Sequence, residues 1–235
     1  MPGSIRLHVA MPLAAGATLT TTPAQAHYLR TVMRRGPGAT LRLFNGRDGE
    51  WEARILALSR DAARLEVGRQ QRPQAQDPDL WLAFAPLKRD ATDLIVQKAT
   101  ELGATALLPV LTRRTVAARV NLDRLAAIAT EAAEQCERLT VPRIAAPQSL
   151  SDLLAAWPSG RTLFAAIERT AAPPLRPCRG PCGLLIGPEG GFAPEELDEL
   201  DRHALVKPVS LGPRILRAET AAIVGLALLQ APGGG

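Results

Sequence analysis

The stretch LLIGPEGGFAPEEL, residues 184–197, is an apolar run that ends at Gly-Pro-Glu-Gly-Gly and is followed by a charged segment of helical character. Glycine adopts positive φ and lets another backbone or a ligand come close, at a cost in backbone entropy. The pattern predicts a buried strand at 184–186, a loop at 187–191 and a helix beyond it. A tight strand-to-helix turn and a ligand-binding loop are both compatible with this stretch alone.

A second stretch, SLGPRILRAETA at residues 210–221, repeats the order of strand, Gly-Pro, charged residue and helix. We expect the two strands to be neighbours, with both loops at the carboxyl edge of a sheet, where open α/β folds bind ligands. The sequence lacks the P-loop and the dinucleotide pattern G-x-G-x-x-G, and also the nucleophile pattern G-x-S-x-G. A slot rimmed by backbone amides and carbonyls suits a neutral aromatic ring such as adenine.

Strand-like and helical segments alternate beyond residue 80, which is typical of a mostly parallel sheet covered by helices. Helices are predicted at 90–103, 122–139 and 218–230, and strands at 80–86, 104–112 and in three later apolar runs, TLFAAIE, GLLIG and LVKPVSLG.

Strand patterns dominate the first third of the chain. The segments at 40–44 and 51–58 flank NGRDG, a hairpin loop, and the segment at 63–67 alternates again. One helix is predicted at 23–36. We expect a small closed β-barrel, followed by a polar linker at 70–79. The sequence thus predicts an α/β protein with a barrel at 1–72 and an α/β domain at 77–235.

The positive charge is concentrated before the linker. Residues 1–72 hold 11 arginines against 5 acidic residues, a net charge of +6, whereas residues 73–235 carry a net charge of −1. A solvated Arg-rich surface would explain this, and so would an anionic partner such as nucleic acid. Arg30 and Arg34 lie four apart on one face of the predicted helix, where they could contact phosphates.

Composition narrows the class of protein further. Hydrophobic residues make up 46% of the chain, which favours a packed core over disorder. Three cysteines fit a reduced, cytoplasmic protein better than a disulfide framework. Cys178 and Cys182 have no second pair or histidine nearby to complete a zinc site, so we expect no metal.

Several segments together are similar to one family. LLIGPEGGF and LGPRILRAETA look like the paired signature of the RsmE family, the 16S ribosomal RNA uridine-N3 methyltransferases of the SPOUT class. HYLRTVMRRG and FNGRDGEWEARI resemble its N-terminal module, DLIVQKATELGA its first helix after the linker, and EAAEQCERLTVPRI its EQCGR-x-x-VP segment. Glu137 stands where the family commonly has Gly, Leu139 replaces a polar residue, and VNLDRL lacks a customary Trp.

The resemblance implies a PUA-like β-barrel followed by a SPOUT domain with a C-terminal trefoil knot. It also implies S-adenosylmethionine as cofactor, small-subunit ribosomal RNA as substrate, and a cytoplasmic homodimer whose RNA site is completed across the interface. No membrane partner is expected.

The resemblance also assigns site residues. Glu189 would anchor the positive end of the cofactor, or it would cap the following helix. Arg217 and Arg138 are the catalytic candidates, because a cation would stabilise the charge on uracil as its N3 proton leaves. The cofactor-binding candidates are Gly187, Glu189, Gly190, Gly191, Leu211, Gly212, Ile215 and Leu216, and the RNA-binding candidates are Arg6, Arg30, Arg34 and Arg114.

The implied reaction is in-line methyl transfer from sulfonium sulfur to N3 of an unpaired uracil, with no metal and no covalent intermediate. Two alternatives remain at this point: a SPOUT enzyme that acts on another RNA such as transfer RNA, and a non-catalytic RNA-binding scaffold.

Overall fold

The computed structural model describes residues 5–116, 119–167 and 172–231. The chain forms two compact units. The first contains the residues up to Gln76 and also Ala133–Val141, and the second contains Asp77–Ala132 and the residues from Pro142 onward. The ranges predicted from the sequence, 1–72 and 77–235, place the segment Ala133–Val141 in the second domain instead.

The first unit is built on a mixed five-stranded sheet. Its strands are β1 (Arg6–His8), β2 (Thr18–Thr20), β3 (Thr40–Phe44), β4 (Glu50–Leu58) and β5 (Ala63–Arg72), in the order β1-β3-β4-β5-β2. The β1–β3 pair is parallel and the others are antiparallel. Alternate residues of β3, β4 and β5 point into one apolar core. Among the described residues β1 and β2 do not pair, so hydrogen bonds do not close the predicted barrel.

The predicted helix at 23–36 is two shorter elements. Helix α1 (Pro23–His27) starts in a capping box made by Thr22 and Gln25, and a π-helical turn, Tyr28–Val32, follows it. Arg34 then adopts a left-handed φ of 50°. Arg30 and Arg34 therefore do not share one face of a regular α-helix.

Arg6 lies inside the first unit with 7% of its surface exposed. Its guanidinium donates to the Glu50 carboxylate at 2.6 Å and to the carbonyls of Ala133 and Arg138 at 2.8 and 2.7 Å. Burial raises the pKa of Glu50, but the hydrogen bonds and charges of Arg6 and Arg72 outweigh it and hold that pKa below its usual value. This placement departs from the expected RNA contact: Arg6 ties the segment 133–138 to the sheet, and its donors are occupied there.

The second unit, over its described residues, is a parallel sheet with five helices. The sheet order is β12-β10-β11-β6-β7-β8, with β9 also pairing with β7, and every pair is parallel. The strands are β6 (Leu80–Phe84), β7 (Ala106–Leu111), β8 (Arg143–Ile144), β9 (Gln148–Ser149), β10 (Thr162–Ala166), β11 (Cys182–Ile186) and β12 (Val206–Val209). The helices are α2 (Arg89–Glu101), α3 (Leu122–Gln135), α4 (Leu150–Ala155), α5 (Pro194–Arg202) and α6 (Ala218–Gln230).

Most predicted elements of this unit occur, with shifted ends. Helix α6 matches the predicted range 218–230, whereas α3 ends at Gln135, four residues before the predicted end. Among the described residues, no helix combines the length and the apolar character that a membrane span requires.

Helix α6 packs against β11 through a glycine. A Cβ at Gly225 would lie 2.5 Å from Cδ2 of Leu184, a side chain that is fully buried in the core. Real Cβ atoms do not approach that closely, so the glycine is required by the distance between helix and sheet. This contact sets the position of the helix whose first turn borders the candidate site.

We expect Gly225→Ala to destabilise the protein although alanine is the better helix former. Overpacking costs roughly 1–3 kcal/mol, which exceeds the gain of about 1 kcal/mol in helix propensity. The matched control is Ala227→Gly, on the exposed side of the same helix, which measures the propensity term alone. Chemical denaturation of both variants tests this, and a Gly225→Ala protein more stable than wild type would contradict the packing argument.

Candidate cofactor cleft

A cleft of about 900 Å³ opens at the carboxyl edge of the parallel sheet in the second unit. One wall is the loop at residues 187–191, which follows β11, and the other is the segment at 210–217, which joins β12 to α6. Every predicted cofactor residue lines it: Gly187, Glu189, Gly190, Gly191, Leu211, Gly212, Ile215 and Leu216.

The two loops do not come from neighbouring strands, and that expectation is wrong. Strand β10 lies between β11 and β12, and its end supplies Ala166 and Ile167 to the cleft. Strands in a sheet are spaced by about 4.8 Å, so the intervening strand separates the loops by roughly 10 Å. The width of the cleft therefore comes from the order of the strands.

The glycines of the first loop serve different purposes. A Cβ at Gly187 would lie 2.9 Å from the ring of Phe192, so packing excludes a side chain there. Gly191 adopts a φ of +68°, which side chains rarely tolerate. Gly190 has no positive φ, and a Cβ there would make ordinary contact, 3.5 Å, with Cδ of Arg114. The fold thus accommodates a small side chain at 190 but not at 187.

Four ionisable side chains line the cleft among the described residues: Arg114, Glu189, Arg214 and Arg217. All four are exposed. Three cations and one anion give the cleft an excess of positive charge, which favours an anionic ligand.

The start of helix α5 bears on the second role considered for Glu189, that of a helix cap. Helix α5 begins after Ala193, and the backbone N–H of Ala193 donates to Glu196, not to Glu189, at 2.8 Å. Glu196 is buried, with 6% of its surface exposed. Its position three residues after the cap is the signal of a capping box that sequence reasoning missed. Glu189 is left exposed at the wall of the cleft.

Arg217 is the residue immediately before α6, in extended conformation, and it lines the cleft. The N-terminus of a helix carries a partial positive charge that adds to that of the guanidinium. Ile215, two residues earlier, exposes 61% of its surface at the same wall. The segment therefore presents both an apolar and a cationic side chain to a bound molecule.

The other predicted functional arginines lie in two places. Arg114 lines the cleft, where it donates to the carbonyl oxygen of Gly190 at 2.7 Å. Arg138 belongs to the first compact unit and is not among the residues that line the cleft in the described chain. Arg30 and Arg34 are exposed on the first unit.

Cys182 does not offer a reactive thiolate. Burial, with a further contribution from Cys178, raises the pKa of Cys182 to about 12, so this thiol stays protonated at neutral pH. Within the described ranges, no three His, Cys, Asp or Glu side chains cluster in a way that could hold a metal ion.

Comparison with known proteins agrees with this fold. Residues 75–230 match a family model described as an RNA methyltransferase domain, and residues 21–68 match one described as an RNA methyltransferase PUA domain. These matches define the class as RNA methyltransferases with a PUA domain.

Proteins called ribosomal RNA small subunit methyltransferase E are similar over most of the chain. The one from Rickettsia conorii is 36% identical and covers 88% of this chain and 86% of its own length. The one from Synechocystis is also 36% identical, with 96% of this chain and 77% of its own length covered. This chain belongs to that family, the RsmE family.

Two solved structures share the whole fold. The ribosomal RNA small subunit methyltransferase E of Neisseria gonorrhoeae, bound to S-adenosylmethionine, has a TM-score of 0.87, 28% identity and 96% coverage of both chains. A methyltransferase of Legionella pneumophila, in complex with the same cofactor, has a TM-score of 0.88, 28% identity and 99% coverage of both chains. These matches confirm the predicted PUA-like domain followed by a SPOUT α/β domain. The predicted C-terminal trefoil knot stays a prediction.

Proposed function

We propose that this protein methylates N3 of a specific uridine in small-subunit ribosomal RNA and takes the methyl group from S-adenosylmethionine. The observation that carries the proposal is the cleft between residues 187–191 and 210–217. The two loops that contain the signature motifs line it from opposite sides, and the end of β10 lies between them. The names of the relatives support the RNA substrate, and the two ligand-bound structures support the cofactor.

The cleft fits this cofactor in size and chemistry. Its volume of about 900 Å³ lies within the range of roughly 300–1,000 Å³ that is usual for cofactor sites. Ile186 and Val209, at the ends of β11 and β12, offer apolar surface to an adenine ring, and Glu189 offers a carboxylate to a sulfonium. The residues that would hold the cofactor are Gly187, Glu189, Gly190, Gly191, Leu211, Gly212, Ile215 and Leu216.

The bound cofactor supplies a methyl group on positively charged sulfur, which uracil N3 attacks in line as its proton leaves. The residues of the cleft align the two reactants, and alignment alone lowers the barrier substantially. The positively charged guanidinium of Arg217 lies beside the uracil oxygens and stabilises the negative charge that develops there. The described cleft is lined by no histidine, so we assign the stabilising role to arginine and leave the proton to water or hydroxide.

Arg138 remains the second cationic candidate. The resemblance implies a homodimer in which the RNA site is completed across the interface, and we retain that assembly, the trefoil knot and the cytoplasmic location as proposals. Size-exclusion chromatography with light scattering tests the dimer directly.

The charge of the first unit is distributed unevenly. Four of its arginines already face acidic side chains, so they add little to a binding surface. These pairings are Arg6 and Arg72 with Glu50, Arg42 with Glu52 at 3.9 Å, and, in cross-strand register, Arg54 with Glu66.

The turn after α1 carries positive charge in a part of the sequence that has no acidic residues. Arg30, Arg34 and Arg35 are exposed there, and no acidic residue occurs in the sequence before Asp48. The backbone that presents them is strained, because Arg34, two residues beyond the end of a π-helical turn, has a φ of 50°. π-Helical turns and left-handed non-glycine residues are often found at functional sites. We therefore place the RNA phosphate contacts of the first unit on the surface formed by Arg30, Arg34 and Arg35.

Gly190→Val is expected to abolish binding of S-adenosylmethionine while the protein stays folded. The branched side chain would occupy the space between the loop and the cofactor, whereas the fold itself leaves room at this position. Gly160→Val, at a site with no heavy atom within 4 Å and outside the cleft, is the matched control. Calorimetry and thermal unfolding test both variants. A folded Gly190→Val protein with undiminished affinity would remove the cofactor assignment.

Arg217→Ala is expected to lower the single-turnover rate by about 10²–10³, as loss of one preorganised donor does, with little change in cofactor affinity. Lysine should restore only part of the rate because it lacks the planar fork. The rate should also rise with pH through the neutral range, because a larger fraction of the uracil is deprotonated. Arg202→Ala, on the exposed end of α5, is the control.

Nucleoside mass spectrometry of ribosomal RNA identifies the product. Ribosomal RNA from a deletion strain should lack N3-methyluridine, and the wild-type chain should restore it. Methylation at C5 or on the ribose would refute the proposed acceptor atom. A near-normal rate in Arg217→Ala would move the catalytic role to Arg138.

Arg34→Gly is expected to stabilise the first unit and to weaken RNA binding at once. Relief of the left-handed φ should gain about 1 kcal/mol, while the slope of log affinity against log salt should fall by roughly 0.7–0.9 for one lost phosphate contact. Glu137→Gly relieves a left-handed φ of 61° at an acidic residue, so it should stabilise without loss of affinity. Unchanged affinity and salt slope in Arg34→Gly would place the RNA elsewhere.

A further inference from the structure

The turn that follows β7 is held tightly against the cleft loop. Thr112 donates its backbone N–H to the Thr115 hydroxyl at 2.9 Å, and the Thr115 N–H donates to the Thr112 carbonyl at 3.1 Å. Within this turn, the backbone N–H of Arg113 donates to Glu196 Oε1 at 2.8 Å. The next residue, Arg114, is the one that reaches the cleft.

Glu196 links two pieces of backbone that are distant in sequence. Oε1 accepts from Arg113, and Oε2 accepts from the N–H of Ala193 at 2.8 Å. The strands before these segments, β7 and β11, do not pair, because β6 lies between them. A buried carboxylate with both oxygens bonded to backbone N–H groups makes strong, charge-assisted hydrogen bonds. Glu196 thus fixes the turn after β7 to the start of α5, directly beyond the glycine loop.

Arg114 depends on this link for its place in the cleft. Its aliphatic stem lies against Gly190, where a Cβ would be 3.5 Å from Cδ, and one of its five N–H groups binds the Gly190 carbonyl. The guanidinium is exposed at the lining of the cleft. A planar guanidinium with further donors is well suited to the oxygens of a phosphate.

We propose that Glu196 is a positioning residue that holds Arg114 at the cleft, where its guanidinium binds a phosphate of the RNA strand that carries the target nucleotide. This inference rests on the proposed function, since it takes RNA as the substrate. Beyond that function, it assigns Arg114 to an RNA phosphate and Glu196 to the support of Arg114.

A carboxylate is required because both of its partners are donors. A glutamine amide in its place would offer one acceptor oxygen, and its NH₂ group would face a second backbone N–H. Glu196→Gln should therefore release one of the two segments and let Arg114 move. Glu196→Gln should therefore weaken RNA binding, the same step that loss of the Arg114 guanidinium would weaken.

A double-mutant cycle tests the proposal with Arg114→Ala, Glu196→Gln and the double variant. Arg114→Ala should raise the KM for ribosomal RNA about tenfold, which corresponds to one phosphate contact, and leave kcat and the cofactor Kd nearly unchanged. Glu196→Gln should raise the same KM several-fold, and the double variant should be no worse than Arg114→Ala alone.

Two controls match these variants. Arg113→Ala removes the same charge from the adjacent residue but keeps the backbone N–H that Glu196 binds, and Glu195→Gln changes an exposed neighbour on α5. Neither should change the KM more than about twofold, on the order of the effect of an exposed surface charge. Thermal unfolding of every variant separates loss of structure from loss of positioning.

Additive effects in the double variant would overturn the positioning role, and an equal rise in the cofactor Kd would assign Arg114 to the cofactor carboxylate instead. Should Glu196→Gln fail to fold, Thr115→Val loosens the same turn without touching α5, and its effect should likewise vanish in the Arg114→Ala background. Wild-type protein without activity on ribosomal RNA would refute the proposed function itself, an outcome distinct from additivity in an active enzyme.

Discussion

The parallel pairing of β12, β10 and β11 is the constraint on which the site depends. Parallel strands end at one edge, so the loops after β11 and β12 must emerge on the same side of the sheet. Because β10 lies between them, they are separated by two strand spacings, roughly 10 Å. Helix α6 is then held against β11 at the glycine position 225, which brings Arg217 to the same opening.

The walls of this opening are rigid for reasons that differ from residue to residue. Phe192 packs where a side chain at 187 would lie, and a positive φ excludes most side chains at 191. Glu196 binds the backbone N–H groups of Arg113 and Ala193, next to the loop at 187–191. Burying an ionised carboxylate is costly unless its oxygens are hydrogen-bonded, and here both are. A cleft fixed by packing, backbone geometry and the hydrogen bonds of a buried carboxylate needs little reorganisation before it binds, which favours alignment of reactants.

The first unit shows that net charge does not by itself locate a binding surface. The net charge of +6 on residues 1–72 includes Arg6, whose guanidinium binds the segment 133–138, and sheet arginines that face glutamates. The arginines that we assign to RNA contacts, Arg30, Arg34 and Arg35, stand on a strained turn, which the packed sheet must stabilise. Glu137 has a left-handed φ of 61° at a position where the family commonly has glycine, so the departure noted in the sequence carries a local backbone cost.

The sequence alone predicted the alternating strands and helices, the two cleft loops, the span of α6 and the family, because periodicity, Gly-Pro turns and paired motifs are local properties of the chain. It also singled out Arg114 and Arg217, which line the cleft and whose functional roles stay predictions. The order of the strands was not predictable, since residues 184–186 and 206–209 read the same whether or not β10 lies between them. The same limit applies to Arg6, whose partners at 133–138 are more than 120 residues away, and to Glu196, whose second hydrogen bond reaches Arg113. Only the tertiary structure decided these points, because each depends on contacts between segments that no local pattern connects.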